Sequence, residues 1–410
     1  MKAIILAVGS ELAYGQTVDT NSAFLARALS SLGITPVAHW TVGDDRGQIA
    51  SAITTAAEAA DVVLISGGLG PTPDDLTRQA IADAMGSELR LNERCLAKIK
   101  TFFDSRGRKM RPSNRIQAMI PIGAEPLDNP LGTAPGIAAR LHRAQLFALP
   151  GVPDEMKQMF RQCVACRLPT DSGVIVHRTV HTFGLGESDI GERLEDLLKS
   201  DSGAKLGTTV AAGLVSIRIT SEATDKNGAE RQVDEIAAEI RSRLGHLVVG
   251  EDDDTMASAV GKLLRERSQT LATAESCTGG LLGRMITSAP GASEYYLGGV
   301  IAYSNAVKRK HLGLPAKLLE RHGAVSEPVA AAMAAGCKKQ FESDWAIAVT
   351  GIAGPDGGTE EKPVGLVYIA LAGEGGIEVH RNIFPGMRDV VRLRAATAAM
   401  NYLRIAMLPR

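Results

Sequence analysis

The chain has 410 residues, 45% hydrophobic and 22% charged, with a net charge of −1. That composition fits a globular protein of two or three domains. Near-neutral charge gives no basic surplus of the kind that marks a nucleic-acid binder, although it allows a local basic patch, and aromatics at 4% are too few for single-strand stacking platforms. The five cysteines, Cys95, Cys163, Cys166, Cys277 and Cys337, are odd in number and scattered, which argues against a disulfide framework. Cys163 and Cys166 have C-x-x-C spacing but no second pair to complete a zinc site, and read as small residues on a helix flank. The apolar start, Met1 to Gly9, is short and followed by Glu11, so it reads as a first buried strand rather than a signal peptide. No apolar run approaches the ~18 residues of a membrane span, and the expected compartment is the cytoplasm.

From residue 1 to about 165, strands alternate with helices. Lys2–Val8 is a strand, Asn21–Leu32 an amphipathic helix stopped by Gly33, Thr35–Val42 a strand and Arg46–Ala60 a helix. Asp61–Ser66 is a continuous apolar strand of the sort buried inside parallel sheets. It leads through Gly67-Gly68-Leu69-Gly70-Pro71-Thr72-Pro73-Asp74-Asp75 into a helix that ends near Met85. A strand also precedes Pro150-Gly151-Val152-Pro153. This rhythm predicts an open, mostly parallel sheet with helices on both faces. Residues 168–172 suit a linker. A small α+β module follows over 173–250, with strands Val174–Phe183, Leu214–Ser221 and His246–Val249 and helices Ser188–Leu198 and Ala229–Leu244.

Residues 255–410 are again α/β. Helix Met256–Glu266 precedes a strand, Thr270–Ala274, that ends at Glu275-Ser276-Cys277-Thr278-Gly279-Gly280 and a helix to Thr287. Strand Gly298–Tyr303 is followed one helical turn later by Lys308. Helix Glu327–Cys337, strands Asp344–Thr350 and Gly365–Ala372, and helix Asp389–Leu403 complete the block.

A serine hydroxyl is a poor nucleophile until a base takes its proton, and a lysine can be that base if burial lowers its pKa. Ser276, Lys308 and Tyr303 therefore make a candidate hydrolytic set, with Tyr303 relaying the proton or orienting the lysine. Main-chain amides after Ser276 sit at a helix N-terminus, which favours an oxyanion or phosphate. Gly279 and Gly280 allow close approach. Thr350-Gly351-Ile352-Ala353-Gly354 offers a second set of amides. The same features also describe an N-cap serine, a packed tyrosine and a solvated lysine.

These segments, with Tyr303-Ser304-Asn305 and Lys362-Pro363-Val364-Gly365, resemble the nicotinamide-nucleotide amidase (CinA C-terminal) family. The resemblance implies an α/β amidase domain that hydrolyses nicotinamide mononucleotide to nicotinate mononucleotide and ammonia without a cofactor. It makes Ser276 the nucleophile, helped by Lys308 and Tyr303. Cys277, Thr278, Gly279, Gly280, Asn305, Thr350, Gly351 and Gly354 become substrate contacts, and Arg388 and Arg392 candidates for the phosphate.

In the first block Glu11, Asp44, Asp45, Asp74 and Asp75 fall at the carboxyl ends of predicted parallel strands, where open α/β sheets build sites. Gly67, Gly68, Gly70 and Thr72 suit a phosphate, and Glu11, Asp44, Asp74 and Asp75 suit magnesium held between carboxylate and pyrophosphate oxygens. Adjacent aspartates are also common helix caps. Gly67–Thr77, Asn129–Gly136 and Leu149–Met156 resemble the molybdopterin-binding superfamily, and closely the N-terminal domain of CinA proteins. That likeness implies an ADP-ribose pyrophosphatase, with pterin or nucleotide binding without hydrolysis as the competing expectation. Ala13-Tyr14 departs from the family pattern and leaves substrate shape open. Gly184-Leu185-Gly186-Glu187-Ser188 resembles the family's KH-like middle module, but no G-x-x-G clamp with basic flanks supports RNA binding. The reading is thus a three-domain protein over 1–167, 173–250 and 255–410, expected to be a homodimer without membrane or direct nucleic-acid contact. A non-catalytic role in competence or DNA-damage responses is the alternative.

Overall fold

The computed structural model describes residues 1–169, 174–200, 203–211, 213–223 and 225–408, so most of the proposed 168–172 linker lies outside the described residues. The chain divides into two compact units, Met1–Val176 with Thr220–Val233 and His177–Ile219 with Asp234–Arg410.

In the first unit, strands β1 (Lys2–Val8), β2 (Thr35–Val42) and β3 (Val62–Ser66) are followed by a small ribbon, β4 (Leu89–Leu91) with β5 (Met119–Pro121), and then by β6 (Glu125–Leu127), β7 (Gly136–Leu141) and β8 (Ala144–Leu149). The main sheet has the order β2-β1-β3-β8-β7-β6. Its first four members are mutually parallel. The parallel expectation ends there: β7 runs antiparallel to β8, and β6 antiparallel to β7. The reason is local. β7 and β8 are separated only by His142 and Arg143, and two residues can make a hairpin but not a parallel crossover. His142 takes the positive φ (53°) that glycine or asparagine usually supplies, so the turn was hard to recognise. Side chains of β1 alternate across the sheet. Ile4, Leu6 and Val8 pack with Ile49 and Ile53 of helix Arg46–Ala59, whereas Ala3 and Ile5 pack with Leu25 and Leu29 of helix Thr20–Ser31.

A four-stranded sheet of order β10-β11-β9-β12 is built from β9 (Val174–Phe183), β10 (Ala204–Ala211), β11 (Leu214–Ala223) and β12 (Val248–Glu251), with β9 and β12 antiparallel. Strand β10 was not anticipated; its outer half is exposed and carries no apolar run.

The C-terminal sheet has the order β14-β13-β15-β16-β17, formed by β13 (Leu271–Glu275), β14 (Tyr296–Ile301), β15 (Trp345–Gly351), β16 (Leu366–Gly373) and β17 (Gly376–Ile383). β13 lies parallel to β14 and β15, and β16 and β17 are antiparallel additions. Leu271, Ile347 and Val349 pack against Met256 and Val260 of helix Met256–Glu266 and Val391 and Ala395 of helix Arg388–Ala406. The opposite face is almost all alanine: Ala272, Ala274, Ala346, Ala348, Ala370 and Ala372. Helix Glu327–Phe341 lies over it through Val329, Ala330, Met333, Ala334 and Cys337.

Helix Glu327–Phe341 also crosses helix Asn305–Leu312 so closely that a Cβ at Gly336 would stand 2.0 Å from the Leu312 carbonyl oxygen. Gly336→Ala would gain ~1 kcal/mol of helix propensity but incur an overpacking cost of ~1–3 kcal/mol or more against backbone that cannot rotate away. The expected net result is destabilisation, read as a lower urea midpoint for the variant.

Candidate active site

β13 is buried on both faces, and its period-2 alternation decides what happens at its end. Ala272 and Ala274 look toward the alanine face, and Ser276 continues that register toward helix Asn305–Leu312. Glu275 looks the other way, beneath helix Leu281–Thr287. There its carboxylate accepts from the amides of Gly280 (2.9 Å), Leu282 (3.0 Å) and Gly283 (2.8 Å). Glu275 is 2% exposed, so the first amides of this helix are satisfied by the chain itself. They are therefore not free for a substrate oxyanion, contrary to the sequence-based expectation for that helix. The amides of Cys277 and Thr278 lie nearer the serine and donate to no oxygen among the described residues. The Ser276 amide donates to the Val349 carbonyl at 2.9 Å, which pins the turn to β15.

Lys308 is the second buried charge-bearing group, 1% exposed. Its Nζ lies 3.0 Å from Ser276 Oγ, 2.8 Å from the Ala302 carbonyl and 3.5 Å from the Tyr303 carbonyl. Burial pushes its pKa below the usual 10.5. An uncharged amine has two N–H groups for the two carbonyls and a lone pair for the serine O–H, so the surroundings suit that form. Cys277, also buried, has its thiol pushed up to about 12 by desolvation, which leaves it an uncharged neighbour of the pair.

Tyr303 does not place its hydroxyl in a hydrogen bond with either Ser276 or Lys308 among the described residues. It is 59% exposed, and its hydroxyl accepts from Arg388 Nη2 at 2.9 Å. Only its main-chain carbonyl faces the lysine. Arg388 also donates from Nη1 to the Gly354 carbonyl at 2.7 Å, so it links the end of β14 to the turn after β15. Arg392 donates to the Thr278 carbonyl (2.9 Å) and to Asp389 (3.0 Å). Gly279 and Gly280 both have positive φ, 59° and 93°. Thr278 Oγ1 is buried and unpartnered among the described residues. Thr350 spends its hydroxyl on the Ala324 carbonyl at 2.8 Å, and Gly351 lies against β16, where a Cβ would meet the Leu366 oxygen at 2.6 Å. Asn305 opens its helix with an exposed side chain.

In the first unit, Glu11, Asp44, Gly67, Gly68, Gly70, Asp74, Asp75 and Glu155 line one cleft of about 450 Å³ at the carboxyl ends of β1 and β3. Thr72 lies just outside it, on the same loop. The loop is held from within. Thr77 Oγ1 donates to the Gly67 carbonyl (2.8 Å), and Arg78, only 1% exposed, donates to the carbonyls of Leu69 (2.5 Å) and Gly70 (3.1 Å). Burial lowers the Arg78 pKa to about 10. Arg78 lies outside the motif segments the sequence picks out, and no role was read for Thr77, for Asn21, whose amide nitrogen bonds Ser66 Oγ and the Gly151 carbonyl, or for Asn129, whose side chain ties Ala134, Gly132 and Glu155 together.

The expected magnesium set of Glu11, Asp44, Asp74 and Asp75 lines this cleft without closing into a ready-made ligand cluster. Among the described residues no three His, Cys, Asp or Glu side chains are grouped to hold a metal ion. Asp75 is drawn into its own loop, accepting from the amides of Gly70 (2.7 Å) and Thr72 (2.8 Å) and from the Thr72 hydroxyl. Asp44 accepts from the Ser10 amide at 2.8 Å, and Asp45 caps the following helix through the Gln48 amide. These are cap and turn roles.

If Glu275 supports the Ser276 turn as described, Glu275→Ala leaves three amides without their acceptor. It should lower stability by about 3 kcal/mol, as read from chemical denaturation. Glu275→Gln keeps one oxygen and should lose less.

Three family models match the chain: "Probable molybdopterin binding domain" over residues 4–170, "Damage-inducible protein CinA KH domain" over 177–250 and "CinA C-terminal domain" over 253–407. The chain is similar along its whole length to a CinA-like protein of Geobacter sulfurreducens, 43% identical over 411 residues and covering 100% of both chains. A CinA-like protein of Synechocystis is 43% identical over 411 residues, covering 98% of this chain and 99% of its own. A solved CinA structure from Thermoplasma acidophilum, described as of unknown function, is 38% identical and covers 39% of this chain and 94% of its own, with a TM-score of 0.37. With all three domain models matched in order and relatives similar from end to end, the chain belongs to the CinA family.

Proposed function

We propose that the C-terminal domain hydrolyses the carboxamide of nicotinamide mononucleotide, releasing ammonia and nicotinate mononucleotide. The observation that carries this reading is the 3.0 Å approach of Lys308 Nζ to Ser276 Oγ in a buried setting. As the serine oxygen bonds to the carboxamide carbon, its proton passes to the Lys308 amine. The carbonyl oxygen becomes an oxyanion, for which the amides of Cys277 and Thr278 are the available donors. As the C–N bond breaks, Lys308 returns that proton to the departing nitrogen, and ammonia leaves. Water then attacks the acyl-enzyme, giving its proton to Lys308, and the acid product separates as Ser276 recovers its hydrogen. The remaining N–H groups of Arg388 and Arg392 suit the substrate phosphate. Tyr303 serves in this reading by orienting Arg388 and by offering its carbonyl to Lys308, not as a side-chain proton relay.

Ser276→Ala should abolish ammonia release from nicotinamide mononucleotide while leaving the circular dichroism spectrum unchanged; undiminished turnover would discard the assignment. Because Lys308 must be uncharged to act as base, kcat/KM should rise with pH through a pKa below 10.5.

Burying this lysine also links stability to pH. Its folded pKa is lowered, so the unfolded chain binds more protons between that value and 10.5, and stability rises with pH in that window. Lys308→Met should be inactive. Its stability gain over wild type in denaturation series should be largest on the acid side and should shrink as the pH climbs through the window.

For the N-terminal cleft we propose a pyrophosphate-bearing ligand such as ADP-ribose. The support is the glycine loop at the carboxyl ends of parallel strands. The carboxylates present do not make a metal site by themselves, so magnesium would need the ligand's own phosphate oxygens to complete its shell. AMP release from ADP-ribose in the presence of magnesium tests hydrolysis. Binding without release would leave a nucleotide- or pterin-binding module. A homodimer is the expected assembly, read by sedimentation.

A further inference from the structure

The stretch from Ser105 to Ala124 contains Arg106, Arg108, Lys109, Arg111 and Arg115 and no acidic residue. In the first unit, Arg108, Lys109 and Arg111 are gathered into a second cleft of about 690 Å³, walled by Pro71, Thr72, Pro73, Phe103, Ser113 and Asn114. None of the three has an ion-pair partner among the described residues, although other cations of this unit, Arg46, Arg94, Lys98 and Arg167, are paired. Three unpaired like charges in one concavity repel one another and favour an anionic guest.

This cleft adjoins the glycine-loop cleft. Pro71 lines both. Thr72, on the basic side, is bonded to Asp75, on the other. Asn114, on the basic side, donates from Nδ2 to Gln117 Oε1 at 3.1 Å, and Gln117 lines the glycine-loop cleft. Gln117 is 2% exposed, and with its carbonyl taken, its Nε2 donors bond no acceptor among the described residues. The two clefts differ in sign. The glycine-loop cleft presents Glu11, Asp44, Asp74, Asp75 and Glu155, which accept from hydroxyl and amino groups and would meet a phosphate only through a bridging cation such as the magnesium considered above. The basic cleft is the opposite.

We propose that Arg108, Lys109 and Arg111 form a phosphate subsite of the N-terminal ligand cleft. The ligand class is a small phosphorylated molecule, its phosphate held by these cations and its donor-rich remainder reaching past Pro71 to the glycine loop. The inference deepens the N-terminal reading given above, since it names which part of the ligand goes where. It requires no hydrolysis. The apolar walls of Phe103, Pro71 and Pro73 and the small volume favour such a molecule over a nucleic-acid strand.

The test is calorimetric titration of the full chain with inorganic pyrophosphate, ADP-ribose and a single-stranded oligonucleotide. Wild type is compared with the triple variant Arg108→Ala, Lys109→Ala, Arg111→Ala. All three side chains are exposed, so the fold should survive, and ammonia release from nicotinamide mononucleotide should be unchanged as a control. The expected result is a loss of affinity of at least about tenfold for pyrophosphate and ADP-ribose in the variant, together with a flatter salt dependence. Three results would overturn the proposal: equal affinity in both proteins, no binding of pyrophosphate or ADP-ribose to wild type at millimolar concentration, or tighter binding of the oligonucleotide than of ADP-ribose. Failure of the hydrolysis reading looks different: no AMP release, with the affinity difference intact.

Discussion

Glu275 holds the turn on which the C-terminal site depends. A buried carboxylate accepting three main-chain N–H groups is a strong, directional clamp, because each bond is charge-assisted and none competes with water. Alternation along β13 then aims the next residue at the opposite face, toward Lys308. The same strand end thus serves two helices, one through a carboxylate and one through a hydroxyl. Lys308 is fixed in turn by carbonyls at the end of β14. Nucleophile and amine therefore meet because two adjacent parallel strands stop at the same level, and a shift in register between β13 and β14 would part them.

The first unit solves its loop problem with cations and hydroxyls beneath the chain. Arg78 and Thr77 tie down carbonyls of the Gly67–Gly70 loop from the helix that follows it, while Asp75 gathers amides from within the loop. Gly67 and Gly68 adopt positive φ, and a Cβ on Gly67 would collide with the Val8 carbonyl at 2.1 Å. The loop is thereby pressed against the end of β1. Residues that from the sequence look like metal ligands are partly spent on this internal bonding.

Strands marked by an apolar run or by alternation were legible. Lys2–Val8, Thr35–Val42 and Val174–Phe183 begin and end where their sequences suggest. What escaped were strands with few buried apolar residues or an unusual turn. β17 is largely exposed, β10 lacks an apolar run, and β7 precedes a His-Arg turn that carries none of the usual turn residues. The pairing of Ser276 with Lys308 was readable because each follows a strand end at a short, fixed interval. The role of Glu275 was not, since an acidic residue beside a serine looks like solvent-facing punctuation until the helix above it is placed. Tyr303 shows the opposite error: its position in the chain was informative, but its side-chain direction depends on Arg388, 85 residues away.

The alanine-lined face of the C-terminal sheet has a thermodynamic consequence. Alanine freezes no rotamers when it is buried, so this layer orders at almost no side-chain entropy cost, but it also removes little apolar area from water. Its cohesion comes from Val329, Met333 and Cys337 of the covering helix and from dispersion between closely spaced main chains, which falls off steeply with separation. The leucine-, isoleucine- and methionine-rich face can absorb an exchange of shape through alternative rotamers. The alanine face has none to offer, so the two sides of one sheet should differ sharply in how much sequence drift they tolerate.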